Sequence, residues 1–238
     1  MSNKNIFIFG GTGSIGKSLS KKLKSNNYNP IIISRNETEL KQLSEEIGCE
    51  YKVCDVLDFD KVKSISEEYK DQLCGIASCV GSINLKPLKM TKDEDFIDSF
   101  KINTLSAINA IKFNQETLAK NNGSILLYST IAVKQGFTNH TIVSTAKGAI
   151  EGLTLSLAAE FAPKIKVNCI APSLSKSKMA GPMLKNEKMA ESIAKMHALK
   201  RIGEGDDFSS LVNFLLSKES SWITGQIIGV DGGRSSVA

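Results

Sequence analysis

The chain has 238 residues and a formal net charge of +5, and its 41% hydrophobic and 23% charged residues are typical of a globular protein. The lysines are scattered among acidic residues, whereas nucleic-acid-binding proteins concentrate positive charge on one face, so we expect no nucleic-acid partner. No apolar run reaches the roughly 18 residues that a membrane-spanning helix needs, so we expect no membrane partner.

The cysteines and histidines show no pattern that would bind a metal. The five cysteines form no Cys-x-x-Cys pair, and His140 and His197 belong to no Cys/His cluster. Unpatterned cysteines of this kind are typical of a reducing compartment. The first predicted strand begins at Ile6, which leaves no space for a signal peptide before it. We therefore expect free thiols, no metal site and a cytoplasmic location.

Short apolar runs alternate with longer amphipathic stretches along the whole chain. This alternation predicts βαβ units, and runs such as Ile31-Ile32-Ile33 are typical of parallel strands buried on both faces. We therefore predict an α/β fold, a single domain over 1–238 with a Rossmann-type doubly wound parallel sheet of about seven strands and helices on both faces. The predicted strands are Ile6–Phe9, Pro30–Ser34, Tyr51–Cys54, Gly75–Val80, Ser124–Ser129, Lys166–Ile170 and Gln226–Val230. The predicted helices are one ending near Lys24, Glu37–Ile47, Phe59–Tyr69, about Asp93–Lys120, about Thr141–Phe161 and Asp206–Leu216.

One long segment, from Pro172 to Arg201, shows no clear periodicity. A loop of this length within a compact domain usually has a function. We predict that residues 172–201 form a lid over the substrate.

A glycine-rich segment separates the first predicted strand from the first helix. Glycines allow backbone N–H groups to approach a pyrophosphate, and the helix N-terminus adds partial positive charge. No Gly-Lys-Ser/Thr follows at the spacing of a Walker loop, so the segment indicates a dinucleotide site. The predicted contacts are Gly10, Thr12, Gly13, Ser14, Ile15 and Gly16.

The end of the second predicted strand indicates which dinucleotide binds. It reads Ser34-Arg35-Asn36, and no carboxylate occurs before Glu37. NAD-selective proteins place a carboxylate here for the ribose hydroxyls, whereas a guanidinium suits the 2′-phosphate of NADP. We predict that Ser34 and Arg35 contact the cofactor and that NADP(H) is preferred over NAD(H).

Further motifs follow the glycine-rich segment in a fixed order. They are Asp55-Val56 after the third strand, Ser78-Cys79-Val80-Gly81, Lys101-Ile102-Asn103-Thr104, Ala171-Pro172-Ser173, and Ile223-Thr224-Gly225-Gln226 with Asp231-Gly232-Gly233. In this order the motifs resemble those of the short-chain dehydrogenase/reductase family, and the resemblance covers nearly the whole chain. It implies further cofactor contacts from Asp55, Val56, Gly81, Pro172 and Ser177.

The resemblance also implies a reaction, the transfer of a hydride between nicotinamide and a carbonyl or alcohol. In the family a Tyr donates the proton, a Lys four residues later holds the nicotinamide ribose, and a Ser thirteen residues before the Tyr binds the carbonyl oxygen. Lys147 in Ala146-Lys147-Gly148-Ala149 matches the Lys, and counting back reaches Val143 and then Thr130. The resemblance thus implies catalytic roles for Asn103, Thr130 and Lys147, a cofactor contact from Lys147, and a valine in place of the usual tyrosine acid.

His140 is a candidate for the absent proton donor. His140, Val143 and Lys147 are spaced i, i+3 and i+7, which places them on one face of a helix if the helix begins that early. An imidazole can donate a hydrogen bond to a developing alkoxide. The alternatives are that His140 is only a helix-cap or surface residue, and that Lys147 itself donates.

We interpret the chain as an NADP(H)-dependent oxidoreductase acting on a small carbonyl or alcohol, with a proton donor other than tyrosine. Val143 favours two alternatives: a non-catalytic cofactor-binding protein (a pseudoenzyme or regulator), and a lyase or isomerase that uses the same pocket. The resemblance also implies a homo-oligomer, a tetramer or dimer, built through the helices at about 93–120 and 141–161 and the C-terminal strand. The alternative is that the apolar residues of these elements belong to the core of the monomer.

Overall fold

A computed structural model describes residues 4–237, except the side chains at positions 182 and 183. The strands in this range are β1 (Asn5–Phe9), β2 (Asn29–Ser34), β3 (Glu50–Val53), β4 (Leu73–Ser78), β5 (Ser124–Tyr128), β6 (Lys166–Pro172) and β7 (Ile227–Val230). The helices are α1 (Ser14–Ser25), α2 (Glu37–Ile47), α3 (Phe59–Glu68), α4 (Asp93–Phe100), α5 (Ser106–Lys112), α6 (Gln115–Lys120), α7 (Thr141–Phe161), α8 (Gly181–Leu184), α9 (Glu187–Lys195) and α10 (Gly205–Leu216).

The strands form one parallel sheet in the order β3-β2-β1-β4-β5-β6-β7. Successive residues of β1 pack on opposite faces of this sheet. Ile8 packs with Leu19 of α1 and Phe208 of α10, whereas Phe7 packs in a separate cluster with Val62 of α3. The predicted Rossmann-type doubly wound sheet with helices on both faces is therefore confirmed. Because both faces are covered, ligands can reach the sheet only at the strand ends.

The long helix predicted before β5 is wrong as one continuous element, because it is divided near two asparagines. A π-helical turn, Lys101–Leu105, separates α4 from α5, and Asn103 within it donates from Nδ2 to the Ser99 carbonyl at 2.9 Å. Asn114, between α5 and α6, donates in the same way to the Ala110 carbonyl at 2.8 Å. In both places a side-chain amide binds a carbonyl four residues earlier, in competition with the helical backbone.

The segment predicted to lack periodicity, 172–201, contains the two short helices α8 and α9. The Asn186 side chain caps α9 by accepting a hydrogen bond from the backbone N–H of Met189 at 3.1 Å. These helices are four and nine residues long, which is too short for a clear apolar period to stand out in the sequence. The lid role of the segment stays a prediction.

Two glycines make the turn between β1 and α1 possible. Gly10 has a φ of +76°, and a Cβ at this residue would lie 2.9 Å from the carbonyl oxygen of Cys79. A Cβ at Gly16 would lie 2.5 Å from the carbonyl oxygen of Gly10. The turn is also tied to β2, because the N–H groups of Gly10 and Gly11 both donate to the Ile33 carbonyl. Only glycine fits where the backbone segments approach this closely.

The described residues bear on three further predictions, about membrane spans, metal sites and disulfides. No helix between residues 4 and 237 is long and apolar enough to cross a bilayer. The described residues contain no group of three or more His, Cys, Asp or Glu side chains placed to hold a metal ion. The five cysteines are free thiols. The cytoplasmic location stays a prediction.

Several large apolar side chains are exposed on the elements predicted to form subunit contacts. Ile97 and Phe100 of α4 are 52% and 42% exposed, and Leu155 of α7 is 53% exposed. Trp222, in the turn that precedes β7, is 99% exposed. Such residues suit a subunit interface, and the oligomeric state stays a prediction.

We expect Gly16→Ala to destabilise the protein by about 1–3 kcal/mol, because the added methyl would press on backbone atoms of Gly10 and Gly11. The matched control is Gly152→Ala in α7, where no atom lies within 4 Å of the Cβ position. This control should gain about 0.5–1 kcal/mol from helix propensity. Urea unfolding measures both changes, and equal stability of the two variants would contradict the close approach at Gly16.

Candidate functional site

A cavity of about 690 Å³ opens at the carboxyl ends of β1, β4, β5 and β6. From β1 the chain continues to β2 on one side, and from β4 it continues to β5 on the other, so the strand order reverses here. Ligands of doubly wound sheets bind at this switch point, and the volume is typical of small-molecule sites. A second cavity of about 340 Å³ lies beside Asn29 and Glu50, at the amino ends of β2 and β3, where this fold does not place its ligand.

The predicted site residues fall into two groups. One group lines the large cavity: Gly13, Ser14, Ile15, Gly16, Gly81, Asn103, Thr130, His140, Val143, Lys147, Pro172 and Ser177. The other group lies outside its lining, at the ends of β1, β2 and β3: Gly10, Thr12, Ser34, Arg35, Asp55 and Val56.

The second group forms a polar edge beside the glycine-rich turn. The hydroxyls of Thr12 and Ser34 are hydrogen-bonded at 2.9 Å. The Arg35 guanidinium lies 3.8 Å from Asp55, and the other oxygen of Asp55 accepts a hydrogen bond from the backbone N–H of Leu57. The Arg35 side chain is 71% exposed, so its remaining donors are open to an anion from solvent.

Asn103 and Lys147 both reach Gly81, which follows β4. Asn103 is 2% exposed, and its Oδ1 accepts a hydrogen bond from the backbone N–H of Ser82 at 3.1 Å. A Cβ at Gly81 would lie 3.0 Å from Asn103 Oδ1 and 3.3 Å from Lys147 Nζ. Glycine at this position therefore lets an amide oxygen and an ammonium group lie against the loop backbone.

Lys147 is a buried cation, 8% exposed, on α7. Burial lowers the pKa of Lys147 from 10.5 to about 8, and Cys169 and Cys79 act weakly in the opposite direction. Burial raises the pKa of each of these thiols to about 12, so both stay neutral at physiological pH. Lys147 is thus close to the protonation equilibrium that suits a general acid or base.

Thr130 and Val143 contribute different chemistry to the same cavity. Thr130 ends the loop after β5, and its Oγ1 accepts a hydrogen bond from the backbone N–H of Ala132 at 3.3 Å. Because this bond uses an oxygen lone pair, the Thr130 proton can be donated into the cavity. Val143 lies one turn before Lys147 on α7 and is 5% exposed, and it offers only methyl groups.

His140 immediately precedes α7 rather than lying within it, and it lines the cavity with Val143 and Lys147. Its Nδ1 lies 2.7 Å from the Thr138 carbonyl oxygen, so Nδ1 carries a proton and donates it there. In the neutral ring Nε2 is then an acceptor. With Nδ1 engaged in this way, only the imidazolium has a proton on Nε2 that could be donated to an alkoxide. The catalytic role of His140 stays a prediction.

The sequence-based prediction missed several cavity residues, among them Cys79, Tyr128, Phe137, Ser173 and Arg234. The Tyr128 hydroxyl is buried and has no hydrogen-bond partner among the described residues. Burial raises the pKa of Tyr128 well above its usual range, and neighbouring Cys79 adds to this effect, so the phenol is a poor acid. Alternation along β5 turns Tyr128 towards the cluster of α1 and α10, which the sequence reveals only once the sheet order is known.

A doubly wound sheet with a glycine-rich turn at its switch point and a buried lysine beside an asparagine defines the class of dinucleotide-dependent oxidoreductases. A family model described as enoyl-(acyl carrier protein) reductase matches residues 10–235. The 3-oxoacyl-[acyl-carrier-protein] reductase of Mus musculus is 32% identical over 237 residues, which cover 97% of this chain and 98% of that protein. A tropinone reductase homologue of Arabidopsis thaliana is 30% identical over 244 residues, with 98% and 92% covered.

Solved structures agree with these sequence relatives. The structure of ElxO with NADP bound has 27% sequence identity and a TM-score of 0.91, and the match covers 98% of this chain and 99% of that chain. The Cj0485 dehydrogenase has 25% identity and a TM-score of 0.92, with 100% and 96% covered. The chain belongs to the short-chain dehydrogenase/reductase family.

We expect Lys147→Met to stabilise the protein without cofactor at pH 7, by about 1–3 kcal/mol. Lowering the lysine pKa from 10.5 to about 8 corresponds to about 3 kcal/mol, because the unfolded chain binds this proton more tightly. The gain should shrink as the pH rises from about 8 to 10.5, since the wild-type lysine then becomes neutral in both states. Urea unfolding at pH 7 and near pH 10 measures the difference.

The control for this change is Lys63→Met at an exposed position of α3, which should alter stability by no more than about 0.5 kcal/mol. A Lys147→Met variant that is less stable than the wild type at pH 7 would contradict the cost assigned to the buried ammonium group.

Proposed function

We propose that the protein is an NADP(H)-dependent oxidoreductase that reduces a small carbonyl compound or oxidises the corresponding alcohol. The observation that carries this proposal is the convergence of Asn103, Thr130 and Lys147 on one cavity at the switch point of the sheet. A hydroxyl donor and a lysine with a lowered pKa in one enclosed site suit the polarisation and protonation of a carbonyl oxygen.

The chain offers a binding surface that fits the cofactor. The turn at Gly10 and Gly16 has no space for side chains, and it exposes backbone N–H groups at the start of α1, where a pyrophosphate binds. Thr12, Ser34, Arg35, Asp55 and Val56 would surround the adenosine end, and Gly81, Lys147, Pro172 and Ser177 the nicotinamide end. When bound, NADPH supplies the hydride that reduces the carbonyl carbon.

Lys147 is the proton donor in this proposal. Thr130 donates a hydrogen bond to the carbonyl oxygen, and the Lys147 ammonium supplies the proton, directly or through a water. A pKa of about 8 leaves Lys147 protonated at neutral pH and able to release the proton. His140 would serve only as the imidazolium, because its Nδ1 proton is engaged by Thr138.

Residues 172–201 act as the substrate lid in this proposal. Ser177, Ala180 and Ile193 from this segment line the cavity, so the segment forms one of its walls. Met179 also lines the cavity and is 44% exposed, and a flexible apolar side chain of this kind suits contact with a range of small substrates. Closure of such a wall would exclude water from the reaction.

A cofactor-binding protein without turnover is the second candidate, because Val143 stands where the family has its tyrosine acid. It shares the glycine-rich turn and the cavity with the first candidate, and differs from it in having no proton transfer to perform. The variants described below separate the two candidates, since only an enzyme responds to changes at the proton-donating positions.

We expect the protein to bind NADPH about ten- to a hundredfold more tightly than NADH, and Arg35→Ala to remove most of that preference. A charge-assisted contact between the exposed guanidinium and a 2′-phosphate provides this difference. The control is Lys41→Ala on α2, the helix that follows Arg35, which removes an exposed positive charge that is not a guanidinium. Calorimetric titration of the wild type and both variants with NADPH and with NADH measures the preference. Equal affinities of the wild type for the two cofactors would refute it.

We expect Val143→Tyr to raise the rate of NADPH-dependent carbonyl reduction, by at most about 10⁴-fold, because the new phenol would lie one turn from Lys147. Val143→Phe adds the same ring without the hydroxyl, so it isolates proton transfer from the cost of overpacking. His140→Asn should change the wild-type rate only a few-fold. Consumption of NADPH in wild type, Val143→Tyr, Val143→Phe and His140→Asn measures these effects.

Two outcomes would change the proposal. A loss of turnover in His140→Asn would transfer the donor role to the imidazolium. A folded, NADPH-binding wild type and Val143→Tyr variant that both fail to reduce any carbonyl would favour the non-catalytic candidate.

A further inference from the structure

A guanidinium that the proposed reaction does not use lies in the wall of the large cavity. Arg234 follows Asp231-Gly232-Gly233 after β7, is half-buried and lines the cavity. Its Cζ lies 4.7 Å from the ring centroid of Phe137, which also lines the cavity. His140 is the next residue along this wall, since the rings of Phe137 and His140 are 5.3 Å apart. Arg234 is therefore on the substrate side of the site.

A chain of hydrogen bonds holds Arg234 in this position. His197 is 2% exposed, and its Nδ1 donates to the Ile193 carbonyl at 2.9 Å. Its Nε2 is then free to accept from the Ser173 hydroxyl at 2.8 Å, and Ser173 Oγ in turn accepts from Arg234 Nη1 at 3.5 Å. Arg234 Nη2 also donates to Met196 Sδ at 3.5 Å. The other three N–H groups of the guanidinium have no hydrogen-bond partner among the described residues, so they are available to a ligand.

Arg234 also differs from the other two arginines in having no carboxylate partner. Arg35 lies 3.8 Å from Asp55, and Arg201 forms a two-point pair with Asp207. Within residues 4–237, no described carboxylate lies within 4 Å of Arg234.

Asp231, the nearest acidic residue in the sequence, is occupied elsewhere. Its carboxylate accepts hydrogen bonds from the backbone N–H groups of Gly233 and Ser235 and from the Ser235 hydroxyl. Burial lowers the pKa of Arg234, and the negative charge of Asp231 offsets this effect only in part, so the guanidinium charge is incompletely compensated.

The charged residues of the cavity lining also favour an anionic ligand. Its described lining includes the cations Lys147, Lys178 and Arg234, and neither an aspartate nor a glutamate. Lys178 is paired with Glu39 at the surface, so Arg234 and Lys147 are the cations that face the interior without such a partner. A neutral ketone would leave the Arg234 charge unmatched, whereas an oxyanion accepts two parallel N–H bonds from a guanidinium.

We propose that Arg234 binds an oxyanion carried by the substrate, a carboxylate or a phosphate, so that the carbonyl substrate is an anionic oxo compound. This inference rests on the proposed function, since it names the substrate class of the same site. Arg234 fixes one end of the molecule near Phe137, and the carbonyl then lies towards Thr130 and Lys147.

The experiment compares anionic and neutral members of matched pairs. One pair is acetoacetate and methyl acetoacetate, and the other is dihydroxyacetone phosphate and dihydroxyacetone. In the wild type, kcat/KM for the anionic member of at least one pair should exceed that for the neutral member by tenfold or more. Arg234→Gln should lower kcat/KM for that anion about ten- to a hundredfold, mainly through KM, and change the neutral member less than about threefold.

The pair that responds identifies the anion as carboxylate or phosphate. Two further variants serve as controls. Arg201→Gln removes an arginine that does not line the cavity and should not alter the preference. Arg234→Lys keeps the charge but loses the two-point geometry, and should recover part of the loss. An equal effect of Arg234→Gln on anionic and neutral members would overturn the inference while leaving the reductase proposal intact.

Binding without turnover separates this inference from the proposed function. The NADP⁺-loaded wild type should be stabilised against heat by acetoacetate or dihydroxyacetone phosphate, and Arg234→Gln should lose that stabilisation while its affinity for NADP⁺ is unchanged. This result would support the anion site even if no carbonyl were reduced. Failure of both anions to bind or react with the wild type would overturn it.

Discussion

The turn after β1 and the loop after β4 meet backbone to backbone, and the site depends on that contact. The N–H of Cys79 donates to the Phe9 carbonyl at 2.9 Å, and the Gly10 backbone lies so close to the Cys79 carbonyl that no Cβ would fit between them. The two segments therefore form the floor of one crevice. The glycine-rich turn forms one side of this crevice, and the loop at Gly81 forms the other. Asn103 fixes that loop by accepting a hydrogen bond from the backbone N–H of Ser82.

The chemistry of the cavity depends on the burial of Lys147. Lys147 is almost fully buried among neutral groups, which keeps its ammonium group less stable than in solvent. The folded chain tolerates this cost because α7 and the sheet hold the lysine in place, and a bound dinucleotide would offer polar partners to its ammonium group. Thr130 and Asn103 already form hydrogen bonds within the protein. A bound ligand would therefore change the environment of the Lys147 ammonium group most.

The sequence predicted those helix bounds that depend on neighbouring residues in the chain. The bounds of α2 and α7 agree with the predicted helices at Glu37–Ile47 and Thr141–Phe161. For α2 the sequence marks both ends, because Asn36 caps the first turn and Gly48 ends the helix in the left-handed conformation. The breaks at Asn103 and Asn114 escaped prediction, because a side-chain amide that takes a helical carbonyl leaves the apolar period unchanged. Arg234 escaped for another reason: its partner Ser173 lies 61 residues away along the chain.

Trp222 is the single tryptophan of the chain, it is 99% exposed, and it does not line the large cavity. Its emission reports the solvent at the corner before β7 and is insensitive to direct contact with a molecule in the crevice. A blue shift in that emission on raising the protein concentration would mark the burial of this corner by a second copy. The chain thus contains its own optical probe of self-association.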